Sequence, residues 1–236
     1  MFANACSQVR ESVYGLIGIS QVGPAQVNAG NATGFIIAPG FLATAAHFVH
    51  VDGDRVKPVH SIFEAIRAPE IGQQMERATF VAEDATRDVA ILRIDAPRSD
   101  ASVTLEPNAI PAGTSCGFLG FPLAQVAFSQ VGQQLTRQLN LVERFQSASV
   151  SAYGPRIQLP SGHLNLYETD GLMYGGSSGC PAFLANGRVF AMQMATIMQM
   201  GAPQSGQPAT TTQLAISLSV PAADIVAFAR GAGVPV

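Results

Sequence analysis

The chain has 236 residues, of which 47 % are hydrophobic and 12 % are charged, against about 25 % charged residues in a typical globular domain. So apolar a chain can bury a large core, which excludes a disordered protein. The net charge is −3 and no basic cluster occurs, which excludes a nucleic-acid-binding protein and a protein held on an anionic membrane surface. The most apolar stretch, residues 34–51, is interrupted by Pro39 and Gly40, so we expect no membrane-spanning helix.

The start of the chain has no basic segment followed by an apolar one and a small-residue cleavage site, so we expect no secretory signal. The three cysteines, Cys6, Cys116 and Cys180, are far apart. Their number and spacing predict neither a disulfide framework nor a zinc site. This pattern favours a reducing compartment such as the cytoplasm.

Short segments rich in β-branched or aromatic residues dominate the first half, and Gly, Pro, Asn or Asp residues separate them. The strands predicted there are residues 13–20, 33–38, 41–45, 78–82 and 89–94. Pro39 and Gly40 predict a turn between the second and third strands. A weak helical pattern at residues 62–67 is too short to predict a helix. A change in composition at residues 97–111 indicates a connection between two halves.

The second half resumes with a predicted strand at residues 116–120, and residues 125–151 follow with an ambiguous pattern. Further strands are predicted at residues 156–159, 165–168, 181–184, 189–194 and 214–220. The Gly, Pro, Gln and Thr residues at 201–213 predict a loop. A helix is predicted at residues 221–230, because Pro221 opens it and Gly231 ends it. Many short strands and one terminal helix predict an all-β fold with two barrels.

The most informative segment is residues 170–181, in which glycines surround Ser177 and Ser178. Glycines let the backbone turn sharply and aim N–H groups at a reacting oxygen, because no Cβ blocks the approach. With Ser177 as the nucleophile, the segment matches the G-x-S-x-G turn of α/β-hydrolases. That fold places its histidine after the serine, whereas all 4 histidines of this chain precede Ser177. The α/β-hydrolase interpretation is therefore excluded.

With Ser178 as the nucleophile, the required order is His, then Asp, then Ser, and the sequence supplies it. His47 follows an apolar strand, and Asp88 directly precedes another. A serine hydroxyl needs a neighbouring imidazole to take its proton, and the imidazole needs a carboxylate to fix its tautomer. Asp84 and Asp95 are rival carboxylates, but neither directly precedes the apolar strand.

Taken together, these motifs resemble the chymotrypsin-fold serine peptidases, nearer to the bacterial HtrA branch than to the digestive trypsins. The segments that carry the resemblance are residues 34–37, 44–47, 88–92, 169–170 and 176–181, and residues 216–221 with the helix after them are similar to the end of the family's domain. The resemblance implies two six-stranded antiparallel β-barrels and a C-terminal α-helix, with the active site in the cleft between the barrels. It implies that residues 1–12 are an extension, residues 13–105 the N-terminal barrel, and residues 106–236 the C-terminal barrel with the helix.

The resemblance also implies a role for each candidate residue. His47 is the general base, Asp88 orients it, and Ser178 is the nucleophile. The backbone N–H groups of Gly176 and Ser178 form the oxyanion hole. The implied protein is a serine endopeptidase that acts on a polypeptide substrate and needs neither a metal nor another cofactor.

The sequence departs from the family pattern at several positions. Ser177 stands where trypsin-like zymogens carry an aspartate that pairs with a freshly cut N-terminus, so activation by cleavage is not expected. Cys180 replaces the second glycine after the nucleophile, and Phe48 replaces a disulfide cysteine of the digestive enzymes. We also expect no PDZ domain after residue 230, in contrast to the usual HtrA arrangement.

The primary substrate pocket is expected to take an apolar or small side chain. The residue six before the nucleophile lines the base of this pocket in digestive members of the family, and here it is Leu172, which does not attract Lys or Arg. The strand that contains Met192, Gln193 and Met194 is expected to form a wall of the pocket and to pair with an extended substrate. Flexible thioethers suit an adaptable apolar pocket, although these methionines also fit an ordinary core.

Other interpretations of the same residues stay open at this stage. His47, His50, Asp52 and Asp54 can be drawn as a metal cluster, but their spacing fits no zinc template. Cys180 is close to the serine, yet a buried small residue is the better account of it. The chain could also be a protease-fold binding module that does not cleave, or a protease domain that a partner activates by ordering the glycine-rich loop.

Overall fold

The computed structural model describes residues 2–23, 26–68, 75–94, 101–131, 134–159, 162–200 and 211–236. Most of them lie in antiparallel strands that close into two six-stranded barrels. The predicted all-β fold with two barrels and a C-terminal helix is confirmed. Within the described ranges, no helix is long and apolar enough to cross a membrane.

The first barrel follows the order β1-β2-β3-β6-β5-β4, and β4 pairs back to β1. Its strands are β1 (Val13–Gly23), β2 (Gln26–Ala38), β3 (Phe41–Ala45), β4 (Ile62–Ile66), β5 (Met75–Asp84) and β6 (Val89–Ile94). The predicted strands of this half all lie within these elements. The segment at 62–67, for which no helix was predicted, contains the strand β4. A short helix, α2 (Ala46–Val49), follows β3, and a 3₁₀ turn (Val51–Gly53) comes after it.

The second barrel follows the order β10-β11-β14-β13-β12-β7, and β7 pairs back to β10. Its strands are β7 (Ser115–Gly120), β10 (Arg144–Leu159), β11 (Gly162–Thr169), β12 (Pro181–Phe183), β13 (Val189–Met200) and β14 (Thr211–Pro221). The ambiguous residues 125–151 contain a separate hairpin of β8 (Gln125–Val131) and β9 (Gln134–Asn140), followed by the start of β10. Of the loop predicted at 201–213, residues 201–210 lie outside the described residues and residues 211–213 belong to β14.

Two further helices pack against the outside of the barrels. The predicted helix at 221–230 is confirmed as α3 (Ala222–Gly231), one residue further along the chain, and it buries Ala222, Ile225 and Ala229 along one face. The N-terminal helix α1 (Ala3–Arg10) was not predicted, and it buries only Ala5 and Val9. Such a short helix with a narrow apolar face gives a weak periodic signal in the sequence.

The second part of β2, residues 32–38, is buried on both faces. In β2, Ile36 packs into the core of the first barrel, whereas Phe35 and Ile37 pack into a cluster shared with the second barrel. From the second barrel, Phe183 and Met192 contribute to the same shared cluster. Alternate residues of one strand therefore hold the first barrel together and attach it to the second.

Candidate active site

Strand pairing brings His47 and Asp88 together. Ala45, the last residue of β3, pairs with Val89, the first residue of β6, in an antiparallel register. The amide of Ala46 donates to the carbonyl oxygen of Asp88 at 3.1 Å. The residues that follow β3 and precede β6 are therefore neighbours, although 41 positions separate them in the sequence.

The carboxylate of Asp88 holds His47 at two points. Its Oδ1 accepts the backbone N–H of His47 at 2.8 Å, and its Oδ2 lies 2.8 Å from His47 Nδ1. Asp88 adopts a left-handed backbone conformation with φ 58°, and its side chain is 2 % exposed. A carboxylate can only accept, so Nδ1 carries the proton and Nε2 presents a free lone pair.

That lone pair points at Ser178, whose Oγ lies 3.0 Å from His47 Nε2. Ser178 is only partly buried, and the His47 side chain is 33 % exposed. The structure thus brings the three predicted triad residues into one hydrogen-bonded series that solvent can reach. Such a series can pass a proton from the hydroxyl to the imidazole.

The loop that carries Ser178 rests on Thr33 of β2. The amide of Thr33 donates to the carbonyl oxygen of Ser178 at 2.8 Å, and Thr33 Oγ1 donates to the carbonyl oxygen of Gly176, also at 2.8 Å. Gly179 has φ 84°, and a Cβ there would lie 2.0 Å from the carbonyl oxygen of Thr33. Only glycine fits such a close approach in the left-handed conformation.

Two amides of the loop that carries Ser178 have no partner within the ranges described. No described group accepts from the N–H of Gly176 or from that of Ser178, whereas the amide of Ser177 donates to the Tyr174 carbonyl at 2.9 Å. Gly176 has φ 91°, and a Cβ there would lie 2.5 Å from the carbonyl oxygen of Phe121. The backbone at this position is therefore restricted to glycine.

Behind this loop, a cavity of about 340 Å³ is lined by Leu172, Met173, Ser177 and Cys180, among others. Burial raises the pKa of the Cys180 thiol to about 12. At neutral pH the sulfur therefore stays protonated, which disfavours Cys180 as a nucleophile. Ser177 is also buried, at 3 % exposure.

The four residues predicted to bind substrate lie in different surroundings. Leu172 is half-buried and lines the cavity, and Met194 is half-buried on β13. Met192 is fully buried in the cluster shared by the two barrels. Gln193 is buried too, and its Nε2 donates to the carbonyl oxygen of Ala195 at 2.8 Å. In this conformation, Leu172 and Met194 are the two with accessible surface.

Of the residues considered above as a possible metal cluster, His50 and Asp52 have other hydrogen-bond partners. His50 Nδ1 lies 2.8 Å from the Lys57 carbonyl, and its Nε2 lies 2.8 Å from Glu83 Oε2. Asp52 pairs with the Lys57 side chain at 2.6 Å. These contacts fix the loop that follows His47.

One neighbour of Asp88 was missed by the sequence analysis. Arg55 Nη2 donates to Asp88 Oδ1 at 2.6 Å, and Arg55 Nη1 donates to the carbonyl oxygen of Ala85. Arg55 lies in a polar loop without a motif, 33 positions from Asp88, so no local pattern in the sequence could have indicated it.

Comparison with known proteins decides the family. The chain matches the trypsin-like peptidase domain over residues 32–192, a range that contains His47, Asp88 and Ser178. The chain belongs to this family. No curated protein matches the sequence closely enough to count as a relative.

Two solved structures share the fold of this trypsin-like peptidase. An HtrA-type protease, AlgW, determined with a tripeptide, has 20 % sequence identity and a TM-score of 0.67, and the match covers 99 % of this chain and 64 % of that chain. The Rv3671c protease from M. tuberculosis, in its active form, has 20 % identity and a TM-score of 0.62, covering 98 % of this chain and 85 % of that one. The present chain thus spans about 64 % of the length of the HtrA-type protein. The predicted chymotrypsin-like fold is confirmed, and it is the fold that this chain shares with the HtrA-type protease.

Proposed function

We propose that the chain is a serine endopeptidase that cleaves polypeptides through an acyl-enzyme, with Ser178 as nucleophile, His47 as general base and Asp88 as the acid that orients it. The observation that carries this proposal is the continuous hydrogen-bonded series from Asp88 Oδ2 through the His47 ring to Ser178 Oγ, with distances of 2.8 and 3.0 Å. These lengths lie within the reach that proton transfer requires.

The reaction begins when Ser178 Oγ attacks the carbonyl carbon of the substrate and its proton moves to His47 Nε2. Asp88 stabilises the resulting imidazolium without taking the proton itself. The imidazolium then protonates the leaving amine, and the C–N bond breaks to give the acyl-enzyme. Water then attacks the carbonyl carbon of this ester while His47 takes one of its protons. The bond between that carbon and Ser178 Oγ breaks, and Ser178 leaves with the proton from His47.

The unpartnered amides of Gly176 and Ser178 are suited to bind the oxyanion of each tetrahedral intermediate. Both N–H groups lie on the loop that carries Ser178, and no described acceptor competes for them. One such donor typically contributes about 2.7–4 kcal/mol to the stabilisation of the transition state. The half-buried Leu172 and Met194 support a preference for an apolar or small side chain before the cleaved bond.

Labelling with a fluorophosphonate, followed by intact mass spectrometry, tests the proposal. We expect one adduct on the wild-type chain, none on Ser178→Ala, and one on Ser177→Ala, which removes the neighbouring hydroxyl but leaves the nucleophile. A well-folded wild-type chain that forms no adduct would contradict the proposal, and would instead favour a binding module or a domain that needs a partner to become active.

A further inference from the structure

The carboxylate of Asp88 has a third hydrogen-bond donor besides the two that His47 supplies. Arg55 Nη2 lies 2.6 Å from Oδ1, the same oxygen that accepts the backbone N–H of His47. The Arg55 side chain is 38 % exposed, whereas that of Asp88 is 2 % exposed. The guanidinium therefore lies between the buried carboxylate and the solvent.

Arg55 is held in this position by a second contact. Its Nη1 donates to the carbonyl oxygen of Ala85, in the turn that precedes β6. The planar guanidinium thus bridges the loop after α2 to the turn that ends in Asp88. A lysine at this position would keep the charge, but it could not offer two parallel donors in a fixed plane.

The other charged groups near Asp88 are engaged elsewhere. On the elements packed around it, they form the pairs His50–Glu83, Asp52–Lys57, Arg87–Asp84 and Arg87–Asp224, and Asp54 accepts from the amide of Val56. In the part of the chain that the structure describes, Arg55 is the one cation paired with Asp88.

We propose that Arg55 is a positioning residue of the active site, which fixes the Asp88 carboxylate against His47 and offsets part of its negative charge. This inference rests on the proposed function. A positive charge beside the Asp88–His47 pair disfavours the imidazolium in the resting enzyme.

The test compares the pH dependence of fluorophosphonate labelling at Ser178 in the wild type and in Arg55→Gln, Arg55→Lys and Arg87→Gln. Arg87→Gln is the matched control, since it removes the same charge from the residue next to Asp88 but from a guanidinium that pairs with Asp84 and Asp224. In Arg55→Gln we expect the pH of half-maximal labelling to rise by about 0.5–1 unit. Arg87→Gln should leave it unchanged. Arg55→Lys should retain the wild-type pH dependence but label more slowly at its plateau.

Proton NMR provides a readout that does not depend on activity. The proton between His47 Nδ1 and Asp88 Oδ2 should give a low-field resonance, identified by its loss in His47→Ala. We expect Arg55→Gln to shift or broaden this resonance and Arg87→Gln to preserve it. If the wild type is not labelled at any pH, the proposed function fails, and the resonance alone decides the role of Arg55. Identical profiles and resonances in Arg55→Gln and the wild type, or equal effects of Arg87→Gln, would overturn the inference.

Discussion

Replacing Gly179 by alanine tests whether the close contact between the two barrels positions the nucleophile. A Cβ at this residue would lie 2.0 Å from the carbonyl oxygen of Thr33 and 2.7 Å from Thr44 Oγ1, and φ is 84°. Gly113 provides a matched control because its φ is 83° and a Cβ there would meet no atom within 4 Å. Gly113→Ala thus imposes the same backbone strain, about 1–2 kcal/mol, without the steric clash.

We expect Gly179→Ala to lower the free energy of unfolding by about 1–3 kcal/mol more than Gly113→Ala does, because overpacking adds to the backbone strain. The stabilisation that alanine gains from a less flexible unfolded chain is shared by the two variants and cancels in the comparison. Urea denaturation measures the difference, and fluorophosphonate labelling should be slowed in Gly179→Ala only. Equal unfolding free energies and equal labelling rates in the two variants would refute this account of the contact.

Three further predictions follow from burial and from the expected pocket. A peptide library should show cleavage after small or apolar side chains, and dominant cleavage after Lys or Arg would contradict the proposed pocket. Because burial raises the pKa of Cys180 to about 12, iodoacetamide at about pH 8 should alkylate this thiol only after denaturation. Peptide mass mapping measures the alkylation, and a modified Cys180 in the native chain would contradict the prediction. Burial also lowers the pKa of His60, so the unfolded chain binds a proton at this residue at a higher pH than the folded chain does. The free energy of unfolding should therefore fall as the pH drops below about 6.5. Urea denaturation at several pH values should show that the free energy of unfolding falls less with decreasing pH in His60→Gln than in the wild type. In His163→Gln, which replaces an exposed histidine, it should fall as much as in the wild type.

The architecture was predictable wherever strands are short, apolar and bounded by turns. The strands β2 and β3 could be predicted from the turn at Pro39 and Gly40 and from the apolar residues on either side of it. Local chemistry determines both the turn and the strands. The hairpin of β8 and β9 was not predicted, since its strands carry mixed polar residues and belong to neither barrel. The hairpin exists because its two strands pair with each other, and the order of residue types along the sequence does not reveal that pairing.

The candidate triad could be predicted because each member adjoins a strong local signal. His47 follows a buried strand, Asp88 precedes another, and Ser178 lies among glycines that the backbone requires. Arg55 could not be predicted, because its role depends only on which loop folds over the Asp88 carboxylate. Met192 was correctly predicted to lie in a strand, but the sequence could not show that its side chain is buried between the barrels, because that depends on how the two barrels pack.

Thr33 connects these observations, because it ties the nucleophile loop to the strand that leads to His47. Its amide and hydroxyl donate to the carbonyl oxygens of Ser178 and Gly176, and its own carbonyl oxygen accepts from Thr44 Oγ1 at 2.7 Å. Thr44 lies on β3, three positions before His47. The 3.0 Å between Ser178 Oγ and His47 Nε2 is therefore set by a path of buried hydrogen bonds through the first barrel. Buried polar groups are costly to leave unpaired, so the two barrels can separate at this point only by breaking several of these bonds together. In this way the fold keeps Ser178 of the second barrel in hydrogen-bond contact with His47 of the first.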